Sequence, residues 1–261
     1  MNLSLKGKNA LVCGSSKGIG KATAIEIAKL GANVTLVSRS PQIMSDLIHE
    51  LDQSQGQDHD FLVADFTQLD DLKKKVHGLV GTKHIHILVN NAGGPPAGPI
   101  VNAKTEDFLK AYNIHLICNH ILVQSVLPGM KKDAYGRIIN IISTSVKAPL
   151  HGLGVSNTTR GAVANWAKTM ANELGAFGIT VNNVLPGATH TGRLKEIIEK
   201  KATKSDQSTE EVAQLMKAAI PLGRFAKPSE IGAAAAFLAS PAAAYITGTN
   251  ITVDGGRTAC W

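Results

Sequence analysis

"NALVCGSSKGIGKATAIEIAKLG", residues 9–31, reads as a strand, a glycine-rich turn and an amphipathic helix with no residue left over. "NALVC" (9–13) is a short apolar run ended by a turn signal, the pattern of a strand buried on both faces. "GKATAIEIAKL" (20–30) repeats its apolar residues at helical spacing, and Gly31 suits the position just past a helix end. Between them lies "GSSKGIG" (14–20). Glycines there permit a tight turn and let backbone N–H groups approach a pyrophosphate at the N-terminus of the following helix.

Outward from this unit the rhythm continues. "NVTLV" (33–37), "DFLVA" (60–64), "IHILV" (85–89), "RIINII" (137–142) and "ITVNNVL" (179–185) read as further buried parallel strands separated by helical patterns. A late helix begins after Pro228 with Ser229 and Glu230. Such alternation predicts an α/β fold, a Rossmann-like doubly wound parallel sheet with right-handed crossovers and helices on both faces. No linker or low-complexity tract divides the chain, so residues 1–261 are expected to form one dinucleotide-binding domain. Residues 188–227 break the rhythm. They follow Pro186-Gly187, are rich in Lys, Thr and Glu, and carry the helical patches "RLKEIIEKKA" and "TEEVAQLMKAA". An insertion at the carboxyl ends of strands would lie over a ligand crevice; the reading is a lid, the alternative a surface helical hairpin.

Bulk properties narrow the class. The chain of 261 residues is 44% hydrophobic and 18% charged, an ordinary globular balance. The apolar stretch near 231–239 is far too short to span a membrane, no signal peptide is evident, and a cytoplasmic protein is expected. Three scattered cysteines (Cys13, Cys118, Cys260) form neither a disulfide framework nor a metal pattern. Nor do the histidines, of which His84 and His86 flank a strand and His115 and His120 share a helix; no metal is expected. The net charge of +7 is compatible with anionic ligands, a solvated basic surface being the simpler reading. Without zinc-finger spacing, a basic helix or an aromatic RNA-binding motif, nucleic acid is not an expected partner.

The spacing GxxxGxG resembles that of the short-chain dehydrogenase/reductase family. "NNAG" (90–93), "LPG" (185–187) and "ITGTNITVDGG" (246–256) resemble further family signatures, so the likeness runs from about residue 6 to 256. Its general look is similar to 3-oxoacyl-carrier-protein reductases. The resemblance implies a dinucleotide site made by Gly14, Ser16, Lys17, Gly18, Ile19, Gly20, Ser38, Arg39, Asp65, Phe66, Asn91, Ala92, Gly93, Pro186, Gly187, Thr189 and Thr191. Members preferring NAD usually end the second strand in an acidic residue. Here that position offers Ser38 and Arg39, and Lys17 adds a cation, so NADP(H) is preferred over NAD(H).

The implied catalytic tetrad departs from the family. Its members use Asn, Ser and a Tyr-x-x-x-Lys pair. In this chain those slots hold His115, Ser143, Ser156 and Arg160. A tyrosine with an ordinary pKa of about 10 can be tuned into a proton donor, whereas a serine hydroxyl is far less acidic and shorter. Arginine can hold positive charge on the cofactor ribose but cannot shuttle a proton near neutrality. His115, His151 in the loop before Ser156, or an ordered water are the alternative donors, because imidazole titrates near neutral pH. "GGPPAGPI" (93–100) stiffens the entrance on the substrate side.

Two function classes therefore stand. One is an NADP(H)-dependent oxidoreductase acting on a small-molecule carbonyl or alcohol, 3-oxoacyl-like and carrier-linked as one option, with a non-standard proton path. The other is a catalytically silent dinucleotide-binding sensor or interaction protein. Lys131 and Lys132 are the surface charges that a carrier protein would meet. The family resemblance implies a homotetramer, and Val163, Trp166, Ala167 and Met170 form an apolar stripe that needs burial against a partner or the sheet.

Overall fold

The computed structural model describes residues 1–260. Seven parallel strands carry the chain: β1 (Asn9–Cys13), β2 (Asn33–Ser38), β3 (Asp60–Val63), β4 (Ile87–Asn90), β5 (Gly136–Ile141), β6 (Ile179–Pro186) and β7 (Asn250–Val253), in the spatial order β3-β2-β1-β4-β5-β6-β7. The order reverses between β1 and β4. In open parallel sheets a ligand crevice forms at such a switch point, outside the carboxyl ends of the strands.

Side-chain alternation along each strand feeds two separate cores. Ala10 and Val12 of β1, Ile87 and Val89 of β4, and Ile139 and Ile141 of β5 join one core. That core is covered by α1 (Gly18–Lys29), α2 (Pro41–Ile48) and α9 (Pro228–Ala239). Leu11, Cys13, Leu88 and Ile138 point the other way, toward α3 (Leu69–Val80), α5 (Cys118–Lys132) and α6 (Gly154–Leu174). On the first face α1 and α9 meet closely: a Cβ on Gly232 would sit 2.9 Å from the Ala22 backbone. Gly31 takes a φ of +97° directly after the α1 C-cap, and its N–H donates to the Ala28 carbonyl.

Register on one half of the sheet is fixed by buried asparagines. Asn90 Nδ2 donates to Asn140 Oδ1 (2.8 Å), Asn140 Nδ2 to Asn183 Oδ1 (2.9 Å), and Asn183 Nδ2 to Asn250 Oδ1 (2.8 Å). These four residues are in register from β4 to β7. A one-residue slip would strand several amides in an apolar interior, where each unpaired group costs about 1–3 kcal/mol.

Three sequence expectations change in detail. β3 is not a buried strand: it lies at the sheet edge, is only half-buried, and exposes Phe61. Strand β4 begins at Ile87 rather than 85, and both His84 and His86 precede it, His84 Nδ1 pairing with Asp133 Oδ2 at 2.8 Å. The helix read as starting after Pro228 includes it, Pro228 being well suited to a first helical turn where no N–H is needed. Residues 188–227 contain two helices, α7 (Gly192–Ser205) and α8 (Thr209–Ala218), packed through Leu194, Ile220 and Phe225. Among the described residues no helix is long and apolar enough to cross a membrane.

Candidate active site

A single cavity of about 1580 Å³ opens at the switch point. Its floor is the turn between β1 and α1. Gly14 and Gly18 both hold φ of +60°, and a Cβ on Gly14 would lie 2.7 Å from the Asn91 carbonyl oxygen. A Cβ on Gly20 would collide with the Gly14 carbonyl, so Gly20 closes the turn from behind while Gly14, Ser16, Lys17, Gly18 and Ile19 face the cavity. Ser15 fastens the loop: its Oγ accepts from Val37 N at 2.9 Å. The α1 N-cap, Lys17, makes no side-chain capping bond, and the first turn carries no acidic residue. The main-chain N–H groups there are left for an external anion, which suits a dinucleotide pyrophosphate.

Ser38, Arg39, Asp65 and Phe66 line the end of the cavity beside β2. Arg39 is largely exposed, and its Nη1 lies 3.9 Å from Asp65 Oδ2, a weak contact. Asp65 is held below its ordinary pKa mainly by accepting the Thr67 N–H, so it stays ionised beside the arginine. No other carboxylate lines the cavity among the described residues, and Lys17 and Arg39 both reach it.

On the other side of the switch point Asn91 Nδ2 donates to the Cys13 and Gly14 carbonyls at 3.2 and 3.3 Å, tying β4 to the glycine turn. Ala92 and Gly93 follow along the cavity wall, and Pro186, Gly187, Thr189 and Thr191 enclose it from β6. Gly187 cannot be larger: its Cβ would fall 2.6 Å from Asp254 Cβ.

The five candidate catalytic residues separate into two layers. Ser143, His151, Ser156 and Arg160 line the cavity, Ser156 and Arg160 one turn apart on the same face of α6. His115 does not line it. It sits in a π-helical turn (Asn113–Ile117) between α4 (Thr105–Tyr112) and α5, only 3% exposed, beside the Gly93 backbone. Such π turns interrupt helices at functional sites. Burial, then the nearby Arg160 charge, drives the His115 pKa well below its ordinary value, so the imidazole is neutral. Ser143 Oγ accepts from Ser145 N at 3.1 Å. Arg160 is 8% exposed; Nη1 donates to the Ile141 carbonyl at 2.9 Å, and burial lowers its pKa to about 10. It has no carboxylate partner among the described residues.

The substrate-side loop is fastened at both ends. Gly98 N donates to the Gly152 carbonyl at 2.8 Å, which ties residues 93–100 to the loop bearing His151. Arg193, at the start of α7, donates from Nη2 to the Pro95 carbonyl at 2.6 Å. Sequence reading passed over Arg193. So too Lys200, Lys201 and Lys204, which line the cavity from the same helix. The available signal was their spacing: with Ile197 they fall on one face of α7. The stripe on α6 divides: Val163 and Ala167 are buried in the chain's own cores, whereas Trp166 and Met170 are half-buried.

Comparison with known proteins agrees with this architecture. A family model described as "Enoyl-(Acyl carrier protein) reductase" matches residues 14–258. The chain is 36% identical to the 3-oxoacyl-(acyl-carrier-protein) reductase FabG of Vibrio cholerae, over 97% of this chain and 98% of that protein. It is 32% identical to the 7alpha-hydroxysteroid dehydrogenase of Escherichia coli K12, over 98% and 96%. Among solved structures it superposes on L-sorbose reductase from Gluconobacter frateurii, complexed with NADPH and L-sorbose, with a TM-score of 0.92, 28% identity and full coverage of both chains. A 7 alpha-hydroxysteroid dehydrogenase complexed with NADH gives a TM-score of 0.88 and 32% identity, covering 98% of this chain and 96% of that one.

Proposed function

The chain belongs to the short-chain dehydrogenase/reductase family, and from that premise we propose that it is an NADP(H)-dependent oxidoreductase interconverting a carbonyl and an alcohol, with 3-oxoacyl-like compounds as the substrate class. The observation that carries this reading is the convergence of a phosphate-binding turn, two cations at the ribose end, Ser143 and Arg160 on one cavity. Both kinds of cofactor occur in the related structures; the preference for NADP(H) rests on Lys17, Arg39 and the absence of an acidic residue after β2.

A nicotinamide cofactor held in this cavity would supply the hydride. Around it the chain's own groups have separable tasks. Ser143 Oγ donates to the substrate oxygen and orients it. Arg160 stays protonated at neutral pH, since even a pKa of about 10 leaves it charged, and it holds the cofactor ribose without exchanging a proton. Ser156 is too weak an acid to deliver one. His151 reaches the cavity from an exposed loop, so the proton added to the substrate oxygen comes from its ring N–H directly or through water. His115, neutral and one layer back from the cavity, does not donate. The lid is α7 with α8, latched through Arg193 to Pro95. The assembly is a homotetramer, to which exposed Leu109 and Tyr112 of α4 offer apolar surface.

The test is turnover of a ketone panel with NADPH. Activity should fall at least tenfold in Ser143→Ala. In His151→Ala it should fall about 10²-fold or more, the usual scale for a lost general acid, while Ser156→Ala keeps most of it. Tight NADPH binding without turnover of any carbonyl would replace this reading with that of a silent dinucleotide-binding protein.

A further inference from the structure

The substrate end of the cavity is more strongly cationic than a neutral ketone needs. Arg160 is buried, yet it spends one bond on the Ile141 carbonyl and has no carboxylate partner among the described residues. An arginine has five N–H donors. Serine in place of the family's aromatic ring at 156 leaves space in front of that guanidinium, and both residues line the open cavity. A charge removed from water without a counterion is costly unless a ligand supplies one.

A second guanidinium lines the same cavity. Arg193 adds to the charge that Arg160 feels, its side chain is about one-third exposed, and its contacts are the Pro95 carbonyl and a 3.4 Å approach to Glu196. Beyond it, the cavity-facing side of α7 presents Lys200, Lys201 and Lys204, whereas Glu196 and Glu199 are absent from the lining. The one carboxylate on the cavity wall, Asp65, lies at the opposite end beside Arg39. On the cavity side of the lid, therefore, no carboxylate among the described residues lines the wall beside these cations; the one carboxylate within 4 Å of Arg193, Glu196, lies off the cavity wall.

We propose that the substrate carries an oxyanion, a carboxylate or a phosphate, and that Arg193 on the lid binds it across from Arg160, with the α7 lysines drawing it in. This rests on the carbonyl-reducing reading and narrows its substrate class. Guanidinium groups suit planar two-oxygen recognition, and a lid bearing one of them closes most favourably on a ligand of opposite charge. Arg193 then has a dual task, since the atom set that latches the lid to Pro95 also faces the ligand.

The test is equilibrium binding, independent of turnover. Protein saturated with NADP⁺, so that the cofactor's own cations are engaged, is titrated calorimetrically with two matched pairs: acetoacetate against its methyl ester, and dihydroxyacetone phosphate against dihydroxyacetone. The anion of at least one pair should bind tenfold or more tightly than its neutral partner. Which pair shows the preference identifies a carboxylate or a phosphate. The preference should shrink at high salt and vanish in Arg193→Gln, whose fold is checked by its melting temperature; Lys201→Gln, farther along the cavity-facing side of α7, should reduce it by a smaller factor. Equal affinity within both pairs, or a preference that survives Arg193→Gln, overturns the proposal. Anion-selective binding without turnover would leave it standing and remove the oxidoreductase reading instead.

Discussion

His115 couples the site to acid. Its imidazole is buried near the Arg160 guanidinium, and both burial and the guanidinium oppose its protonation. In the unfolded chain the same imidazole titrates near the ordinary value of about 6.5. The folded pKa is therefore the lower one, and below about pH 6.5 the unfolded state binds a proton that the folded state refuses. The sign follows: this stabilisation is complete above the unfolded pKa and is withdrawn as pH falls toward the folded one. One proton of difference costs up to about 1.4 kcal/mol per pH unit, so at pH 5, about 1.5 units below the unfolded pKa, up to roughly 2 kcal/mol is removed. That is a large part of a typical domain stability of about 5–15 kcal/mol. His115→Asn places a non-titrating amide in the slot. Urea unfolding of both proteins at a series of pH values, from about 7.5 to 4.5, isolates the effect. His86, whose pKa is also lowered by burial, is present in both and cancels in the difference. The wild-type advantage should be constant above pH 6.5 and decline below it. Parallel stability curves across the whole range would refute the argument, because a buried neutral imidazole cannot be pH-silent.

Other perturbations address separate links. Asn140→Leu removes the middle of the asparagine ladder and leaves Asn90 Nδ2 and Asn183 Oδ1 without partners. At about 1–3 kcal/mol for each orphaned group, the urea midpoint should drop by the equivalent of roughly 2–5 kcal/mol. An unchanged midpoint would mean that the ladder contributes nothing. Arg39→Ala should weaken NADPH binding by about one to two decades and leave NADH nearly untouched, since a charge-assisted bond to the 2′-phosphate is worth on the order of 1.5–3 kcal/mol. Equal wild-type affinity for the two cofactors by calorimetry would reject the assignment. Gly20→Ala forces a methyl group into the Gly14 carbonyl, so the turn must shift. Overpacking of this kind costs about 1–3 kcal/mol; melting temperature and cofactor affinity should fall together, and retention of both would show that the turn yields freely.

The cofactor half of the site could be read from sequence because its chemistry is backbone chemistry. Glycines at 14, 18 and 20 are dictated by positive φ and close approach, and such demands act on adjacent residues of a single turn. Strand identity followed from apolar runs. The error at β3 came from the same cue, since an edge strand can be as apolar in sequence as a central one while half of it faces solvent. The asparagine ladder was not legible: its members come from four strands, and only the three-dimensional register aligns them. Arg193 and the α7 lysines were also hidden. Their sequence setting, rich in Lys and Glu, looks like an ordinary solvated helix until the fold turns one side of it toward the cavity. His115 could be placed by counting, but its neutrality comes from tertiary burial and the approach of Arg160.

Ser156, Arg160 and His115 act on one another, and their joint effect differs from three separate losses. A tyrosine at 156 would close off the space in front of position 160 and bring its own acid. With serine there, the guanidinium opens onto the cavity. A lysine facing that space, with burial pressing its pKa down, could lose its proton, whereas arginine at a pKa of about 10 keeps its charge. That permanent charge in turn contributes to holding His115 neutral. It also makes a proton donor beside Arg160 less necessary for charge balance than an anion is. On the proposed mechanism the labour that the family's tyrosine–lysine pair combines is divided: fixed positive charge stays deep on α6, and proton donation falls to the loop carrying His151. In the proposed arrangement an anionic substrate lies between Arg160 and Arg193, both on the cavity wall, and the acid approaches from the loop that Gly98 anchors at Gly152.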